Sequence, residues 1–296
     1  MSIYNTLRLD KDFIIYIQRG IGSISPLLFI YVLIIKYLFH RKIVYDIDDA
    51  LFLYNKLSIN NIIRHCDVVI VGGYNLKNYA EKLNKNVFYI PTSISSKITD
   101  DLWINKVKKK KNDKLVIGFI GSTSTTRYLS LLVTPISVLA NEYDFEFRII
   151  SAKSYEEYDQ YKILYNKFKK NGVDLKYVLW GFSNEETQLT EIDIGLAPLF
   201  NGIWEKNKCG FKVINYMSAG IPPVVSAVGE HKYIIQDGFN GFLCDNDQKW
   251  INSLRKLIED KSLRQSIGQN ARKTFEERYS LEKNVKILAN ILSKIS

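Results

Sequence analysis

Two lysines, Lys208 and Lys212, flank the dipeptide Gly210-Phe211 at the start of a helix predicted near 209–219. The backbone amides of Gly210 and Phe211, the positive end of the helix dipole and two ammonium groups would then converge on one small region. Such a region can bind a diphosphate and stabilise the charge that develops when a phosphate departs, without a metal ion. The alternative is that two lysines four residues apart simply face solvent on a helix surface.

A second candidate begins at Gly121, where a strand predicted over 115–120 ends and a helix predicted near 126–141 is about to start. Glycine allows close approach of the backbone, the hydroxyl groups of Ser122 to Thr126 can cap free amides, and a helix N-terminus favours an anion. A Ser/Thr cap that binds no ligand is the alternative. The segment lacks both the Gly-Lys-Ser/Thr ending of a P-loop and a Gly-x-Gly-x-x-Gly pattern, so neither a P-loop nor an NAD site is favoured.

A run of acids, Asp46-Ile-Asp-Asp49, follows another predicted strand. Three interpretations stay open: a metal site, a helix N-cap with strand-end structure, and a role in an interdomain or acceptor cleft. His40, His65 and His231 have no neighbours at metal-ligand or triad spacing, although His231 lies just past Gly229 and near the expected cleft. A Gly-x-Ser-x-Gly elbow is absent from the sequence, which removes the main support for a hydrolase.

The elements that must position these residues are short apolar strands alternating with helices. Strands are predicted over 13–17, 42–46, 67–71, 86–90, 115–120, 146–150, 175–179, 193–197, 223–226 and 241–244. Helices are predicted over 26–39, 74–84, 126–141, 155–171 and 209–219, and near the C-terminus over 250–260 and 263–292. Continuous apolar strands followed by helices indicate parallel strands buried on both faces. Two such alternations predict an α/β fold with two Rossmann-like doubly wound domains, 1–105 and 114–296, joined by a lysine-rich linker over 106–113.

The net charge of +10 on 296 residues is concentrated in the first part of the chain. Residues 1–112 hold 17 basic and 9 acidic side chains, a net +8, and five of the lysines are Lys106 and Lys108 to Lys111. This run is interpreted as a linker or as a contact with an anionic surface. A nucleic-acid partner is not expected, because no reader motif or Arg-rich helix accompanies the charge.

The chain is expected in the cytoplasm. The longest apolar stretch, Pro26 to Phe39, is fourteen residues long, short of the roughly 20 that a spanning helix needs, and it is interpreted as a buried helix. The start has no signal-peptide pattern. Cys66, Cys209 and Cys244 are odd in number and far apart, which indicates reduced thiols rather than disulfides or a zinc site.

The most specific pattern runs from Asp193-Ile-Gly-Leu-Ala-Pro-Leu199 through Trp204-Glu-Lys-Asn-Lys-Cys-Gly-Phe-Lys-Val-Ile-Asn-Tyr-Met-Ser-Ala-Gly220 to Pro223-Val-Val-Ser226 and Gly238-Phe-Asn-Gly-Phe242. It resembles the retaining glycosyltransferases of the two-Rossmann-domain (GT-B) architecture, of the group 1, family 4 type, over most of the chain. The resemblance covers a first domain that is shorter than the family's usual one, with about 105 residues and four predicted strands. It also implies transfer of a sugar, without a metal or another cofactor, from a UDP- or GDP-sugar to a glycan or lipid-linked acceptor of the cell surface.

The resemblance also implies the residues of the site, with Lys208 and Lys212 as the catalytic pair that binds the diphosphate. The implied donor-binding residues are Gly121, Ser122, Thr125, Trp180, Gly181, Gly210, Phe211 and Asn215. The family usually has two glutamates, eight positions apart, that hold the donor, and here those positions are Asn207 and Asn215. An amide can bond a hydroxyl but has one acceptor oxygen where a carboxylate has two. Asn215 is assigned a donor contact, and the roles of Asn207 and Glu205 stay open.

These substitutions and the short first domain motivate an alternative function, a catalytically inactive relative that serves as a subunit or as a nucleotide-binding partner protein. An anionic membrane surface remains a further expected partner, with the protein held peripherally at the inner face of the membrane.

Overall fold

The computed structural model describes residues 13–18, 26–96, 114–181 and 185–295, and these form two compact units. Unit 1 contains the residues up to Thr92, the segment Gly202–Cys209 and the residues from Glu282 onward. Unit 2 contains Ser93–Asn201 and Gly210–Leu281. The chain therefore passes from unit 2 to unit 1 and back again between residues 201 and 210.

Ten strands lie within two residues of their predicted limits. They are β1 (Ile14–Gln18), β2 (Lys42–Ile47), β3 (Val68–Val71), β4 (Val87–Tyr89), β5 (Val116–Ile120), β6 (Glu146–Ser151), β7 (Leu175–Leu179), β8 (Ile194–Ala197), β9 (Pro223–Ser226) and β10 (Phe242–Cys244).

The α-helices are α1 (Pro26–Leu33), α2 (Lys56–His65), α3 (Tyr74–Ala80), α4 (Val133–Ala140), α5 (Asp159–Lys170), α6 (Glu185–Thr190), α7 (Ile203–Lys206), α8 (Phe211–Ser218), α9 (His231–Ile234), α10 (Asp247–Glu259), α11 (Lys261–Arg278) and α12 (Leu281–Ser293). Helical segments of other types cover Ile34–Leu38, Leu51–Leu53, Thr123–Leu132 and Tyr155–Glu157.

Unit 1 is built on a four-stranded parallel sheet in the order β1-β2-β3-β4. Alternate residues of its strands are buried on opposite faces, as parallel strands between two apolar layers require. On one face Ile43, Tyr45 and Ile47 share a core with residues of α1, α2 and α3. On the other face Val44 shares a core with Ile291 of α12.

Unit 2 is built on a six-stranded parallel sheet in the order β7-β6-β5-β8-β9-β10. Successive strands run outward from β5 in one direction and then from β8 in the other, so the switch in direction falls between β5 and β8. In open α/β sheets ligands bind beyond the carboxyl ends of the strands at this point. Residues of α4, α5 and α10 fill the core on one face, and residues of α8 and α11 fill it on the other. The predicted fold class, α/β with two Rossmann-like domains built on parallel sheets, is confirmed.

The helix predicted over 263–292 is wrong as a single element, because the structure breaks it between Arg278 and Leu281. At the break the amide of Ile94 donates to the carbonyl of Tyr279 (3.2 Å), and the amide of Leu281 donates to the carbonyl of Ile94 (2.9 Å). These backbone groups pair with a distant segment of the chain and therefore cannot continue the helix.

Two further differences are local. No helix is predicted over 56–65, where the structure has α2 with the side chain of Asn55 accepting from the amide of Ser58 as its N-cap. The helix predicted over 26–39 is α-helical only to Leu33 and widens to a π-helical turn over Ile34–Leu38.

The predicted linker over 106–113 lies outside the described residues, and the domain limits at 105 and 114 stay predictions. Among the helices of the described ranges, none combines the length and the apolarity needed to cross a bilayer.

Candidate functional site

The loop after β5 lies at the switch point of the second sheet. Its hydroxyl groups donate to carbonyls: Thr125 Oγ1 to Ser122 O and Thr126 Oγ1 to Thr123 O, each at 2.7 Å. Ser122, at the N-cap position, makes no side-chain capping bond within the described chain. The prediction that these hydroxyl groups cap amides is therefore wrong. The chain after Ser122 forms a 3-10 helix. In it the hydroxyl groups of Thr125 and Thr126 each bond to the backbone carbonyl three residues earlier instead of to an amide.

Gly121 is where this loop meets Lys212. A Cβ atom at position 121 would lie 2.9 Å from Nζ of Lys212 and 3.0 Å from Cζ of Phe119. Nζ of Lys212 also lies 3.5 Å from the centroid of the Phe119 ring, a cation–π distance. The structure therefore brings the two predicted candidates, the loop at Gly121 and Lys212, to one place, and only glycine leaves room for the ammonium group.

Gly210 forms the N-cap of α8 in a left-handed conformation, with φ of +72°. A Cβ atom there would also collide with Cδ1 of Ile234. Both features require glycine. They place Phe211, which is exposed, and Lys212 in the first turn of α8, where backbone amides and the helix dipole favour an anion.

Tyr216, which the sequence analysis did not select, fixes α8 to the strands on both sides of the switch point. Its hydroxyl accepts from the amide of Ile120 in β5 (3.0 Å) and donates to the carbonyl of Leu196 in β8 (3.1 Å). The side chain is fully buried, and burial raises the pKa of its hydroxyl far above the usual value. Its ring also packs on Gly195, where a Cβ atom would lie 2.5 Å from Cγ of the ring. Tyr216 therefore sets the position of Lys212 one turn away.

His231, which its position just past Gly229 put near the expected cleft, lies in this region but had no role assigned from the sequence. It is the first residue of α9, it is 3% exposed, and its Nδ1 lies 3.0 Å from the carbonyl oxygen of Ser226 at the end of β9. Burial, with a smaller contribution from the charge of Lys212, lowers the pKa of the imidazole to about 4, against the opposing effect of the hydrogen bond to Ser226. The ring is therefore neutral near pH 7, close to the lysine.

This neutral histidine should make the stability depend on pH. The unfolded chain binds the proton near pH 6.5, whereas the folded chain binds it only near pH 4. Below pH 6.5 the unfolded state therefore takes up more protons, and the stability falls as the pH falls through this window. We expect His231→Asn to remove up to about 3 kcal/mol of that loss between pH 6.5 and 4. Urea denaturation of both proteins at several pH values measures the free energy of unfolding. If this free energy changed with pH by the same slope in both proteins, the burial of a neutral imidazole would be contradicted.

Trp180 and Gly181 follow β7, two strands away from β5 in the sheet. The amide of Trp180 donates to the carbonyl of Ser151 (2.8 Å), and its side chain packs against the core of unit 2. This placement agrees with a structural packing role and leaves the predicted contact with a nucleotide base as a prediction. Phe182 lies outside the described residues.

Lys208 does not belong to the same unit as Lys212, because the division between the units falls between Cys209 and Gly210. Its ammonium group lies 5.4 Å from the ring of Trp204, and its amide donates to the carbonyl of Glu205 (3.2 Å). The spacing of the two lysines indicated one helix surface, but α8 begins only at Phe211. The alternative that both lysines lie on one helix surface is therefore wrong.

The segment Gly202–Cys209 is anchored to the strand ends of unit 1. The thiol of Cys209 donates to the carbonyl of Asp48 just after β2 (2.6 Å). Nδ2 of Asn75, in the first turn of α3, donates to the carbonyl of Lys206 (2.6 Å). Gly72, which follows β3, gives the thiol its space, since a Cβ atom there would lie 2.6 Å from Sγ of Cys209. These contacts hold Lys208 in unit 1.

The two asparagines at the expected glutamate positions differ in their surroundings. Nδ2 of Asn207 donates to the carbonyl of Ile203 (2.8 Å), and the side chain is buried at the end of α7. Asn207 therefore stabilises the segment locally. Asn215 lies half-buried in α8, one turn after Phe211, and its role as a donor contact stays a prediction.

The acids at the end of β2 and just after it, Asp46, Asp48 and Asp49, are part of the structure of unit 1. Asp46 accepts from the hydroxyl of Tyr16 (2.9 Å), and the carbonyl of Asp48 accepts from Cys209. The next helical segments have Ala50 and Asn55 at their N-cap positions, so the interpretation of these acids as N-caps is wrong. Within the described part of the chain, no three His, Cys, Asp or Glu side chains are grouped so that they could hold a metal ion.

Comparison with known proteins places this chain in a family. The family model described as glycosyl transferases group 1 matches residues 101–274. The chain is similar to N-acetyl-alpha-D-glucosaminyl L-malate synthase of Bacillus anthracis, with 21% identity over 77% of this chain and 61% of the relative. It is also similar to the capsular polysaccharide biosynthesis glycosyltransferase CapM of Staphylococcus aureus, with 25% identity over 59% of this chain and 45% of the relative. The chain thus spans less than two thirds of either relative.

Among solved structures, that of Anabaena Alr3699/HepE in complex with UDP and glucose matches with a TM-score of 0.74. The match covers 95% of this chain and 77% of the other, at 16% identity. At this identity the likeness shows the fold, and it agrees with the two parallel sheets described above.

Proposed function

Because this chain belongs to the glycosyl transferases group 1 family, we propose that it transfers a sugar from a nucleotide-diphospho-sugar to a glycan or lipid-linked acceptor of the cell surface, with retention of the anomeric configuration. The donor is proposed to be a UDP- or GDP-sugar. The Anabaena protein of the same fold has been crystallised with UDP and glucose, and the CapM relative is named for capsular polysaccharide biosynthesis, which supports both substrate classes.

The observation that carries the proposal is the position of the Lys212 ammonium beside Gly121 at the switch point of the second sheet. A nucleoside diphosphate leaves with extra negative charge on its β-phosphate, and a cation already in place stabilises that charge without reorganisation. The amides of Gly210 and Phe211 at the start of α8 would bind further phosphate oxygens. The fixed cations would supply the positive charge that a divalent metal ion supplies in metal-dependent enzymes. Sugar transfer is therefore expected to persist in EDTA.

The remaining donor contacts are assigned by their place around Lys212. Ser122 and Thr125, on the loop after Gly121, would line the phosphates and the sugar. Asn215, one helical turn beyond Phe211, would bond a donor hydroxyl. Trp180 and Gly181, at the end of β7, would hold the nucleotide base. Support for this arrangement comes from the strand order, which puts all these loops at the carboxyl edge of one sheet.

Lys208 is proposed as the second cation for the diphosphate. In the transfer step the bond between the anomeric carbon and the β-phosphate oxygen breaks, and a bond to the acceptor oxygen forms on the same face. The acceptor hydroxyl gives its proton to the departing phosphate, so no separate general base is needed. Retention follows from attack on the face that the leaving group vacates.

The first domain, 1–105, is proposed to bind the acceptor at an anionic membrane surface. The protein would lie in the cytoplasm, attached peripherally to the inner face of the membrane. The support is the net +8 of residues 1–112 and the run Lys108 to Lys111. Neutralising these four lysines is expected to abolish binding to anionic vesicles and to leave nucleotide binding intact. Loss of both together would contradict this assignment.

The function is tested by a panel of sugar nucleotides in thermal-shift assays, followed by turnover assays with a membrane extract. A ligand that binds only the folded state raises the midpoint by mass action, so we expect one base and one sugar to stand out. Consumption of that donor only when the extract is present would support the transferase. Binding without turnover would support the alternative, a nucleotide-binding subunit, and no shift with any sugar nucleotide would contradict both.

A further inference from the structure

His231 has one ring nitrogen whose role the fold determines and another whose role it leaves open. The carbonyl of Ser226, 3.0 Å from Nδ1, can only accept a hydrogen bond. Nδ1 must therefore carry the proton in the neutral ring, and Nε2 then carries a lone pair. Among the described residues, Nε2 has no hydrogen-bond partner. A ring that is 3% exposed thus presents an unused acceptor atom.

The free edge of the ring faces the start of α8. Cδ2, which is bonded to Nε2, lies 3.8 Å from the position that a Cβ atom would take at Gly210. The charge of Lys212 acts on the imidazole, so the ammonium is also nearby. Nε2, bonded to Cδ2, therefore lies near Gly210 at the start of α8 and within electrostatic reach of the Lys212 ammonium.

The chemistry of Nε2 differs from that of the ammonium and amide groups that are proposed to bind the diphosphate. Ammonium and amide groups donate hydrogen bonds, and phosphate oxygens accept them. A lone pair is repelled by a phosphate oxygen and requires a donor such as a hydroxyl group. On a sugar nucleotide such hydroxyl groups belong to the ribose or to the transferred sugar.

The strand order distinguishes these two sources. Gly121 follows β5 in the middle of the sheet, Trp180 follows β7 on one side, and His231 follows β9 on the other. Neighbouring strands are about 4.8 Å apart, so β7 and β9 each lie roughly 10 Å from β5. With the base beyond β7 and the diphosphate at β5, the ribose lies on the β7 side. The group that continues from the diphosphate toward β9 is the transferred sugar.

We propose that Nε2 of His231 accepts a hydrogen bond from a hydroxyl group of the sugar that is transferred, and so contributes to the choice of donor sugar. This inference rests on the proposed function, because it takes the diphosphate site at Lys212 as given. It adds a binding residue that sequence spacing did not identify.

The test measures the binding of UDP-glucose and of UDP by calorimetry to the wild type, His231→Phe and His231→Gln. If the thermal-shift panel shows that the protein prefers guanosine nucleotides, GDP-mannose and GDP replace them. We expect His231→Phe to weaken binding of the sugar nucleotide by about tenfold and to leave binding of the parent diphosphate unchanged. His231→Gln, whose side-chain oxygen can accept, should recover part of the loss. Unchanged binding of the diphosphate also shows that the variant is folded.

An equal loss for the sugar nucleotide and for the diphosphate would overturn the assignment, because the contact would then be to the ribose or phosphates or would be purely structural. No loss for either ligand would overturn it as well. A wild type that binds neither ligand would instead contradict the proposed function, so the two failures can be told apart.

Discussion

Replacing Lys212 with alanine is expected to lower kcat for sugar transfer by about 10²–10³-fold, the usual cost of removing one preorganised group that stabilises transition-state charge. The ammonium is held beside Gly121 and over the ring of Phe119, so it needs no rearrangement when the leaving phosphate gains charge. Binding of the intact donor should weaken less than kcat falls, because the charge is largest in the transition state. Initial rates over a range of donor concentrations measure both effects.

The matched control is Lys167→Ala, which removes an exposed lysine of α5 in the same unit. It should leave kcat and KM unchanged. Lys212→Arg keeps the charge but changes its geometry, and an intermediate rate is expected. If Lys212→Ala transferred sugar at the rate of the wild type, the lysine would not stabilise the leaving group.

Gly195→Val is expected to destabilise the fold by about 2–6 kcal/mol, as overpacking and an unpaired buried amide combine. The new side chain would collide with the ring of Tyr216, since even a Cβ atom would lie 2.5 Å from its Cγ. A displaced ring would release the amide of Ile120 from its bond to the tyrosine hydroxyl. Urea denaturation followed by circular dichroism gives the change in the free energy of unfolding.

Tyr216→Phe separates the two contributions to this effect. It removes only the hydroxyl and leaves the amide of Ile120 unpaired, so a loss of about 1–3 kcal/mol is expected. Gly172→Ala is the control: Gly172 has positive φ but no atom within 4 Å of its Cβ position, so the collision is absent there. A Gly195→Val protein as stable as the wild type would contradict the packing of α8 on β8.

Most of the fold could be predicted because each strand is a short apolar run with turn residues on both sides. Val68–Val71, for example, is buried along its whole length and could be read directly from its composition. The break between α11 and α12 could not be read in this way. It depends on backbone pairing with Ile94, a distant residue that leaves no trace in the local periodicity.

The candidate site was predictable only in part, for a related reason. Lys212 and Gly121 each stood out by residue type and by their place at an element boundary, and the fold brings them together. The spacing of Lys208 and Lys212 could not reveal that the chain changes units between them. Tyr216 gave no signal, and the sequence put His231 only near the expected cleft, because the roles of both residues come from burial and from partners in the strands.

The most direct measurement of the central claim is a calorimetric titration of UDP and of GDP into the wild type, Lys212→Ala and the control Lys167→Ala. We expect one of the two diphosphates to bind the wild type and the control with equal affinity. Lys212→Ala should bind it at least about tenfold more weakly, a loss of about 1.4 kcal/mol. Equal affinities for all three proteins would contradict the assignment of the diphosphate to Lys212.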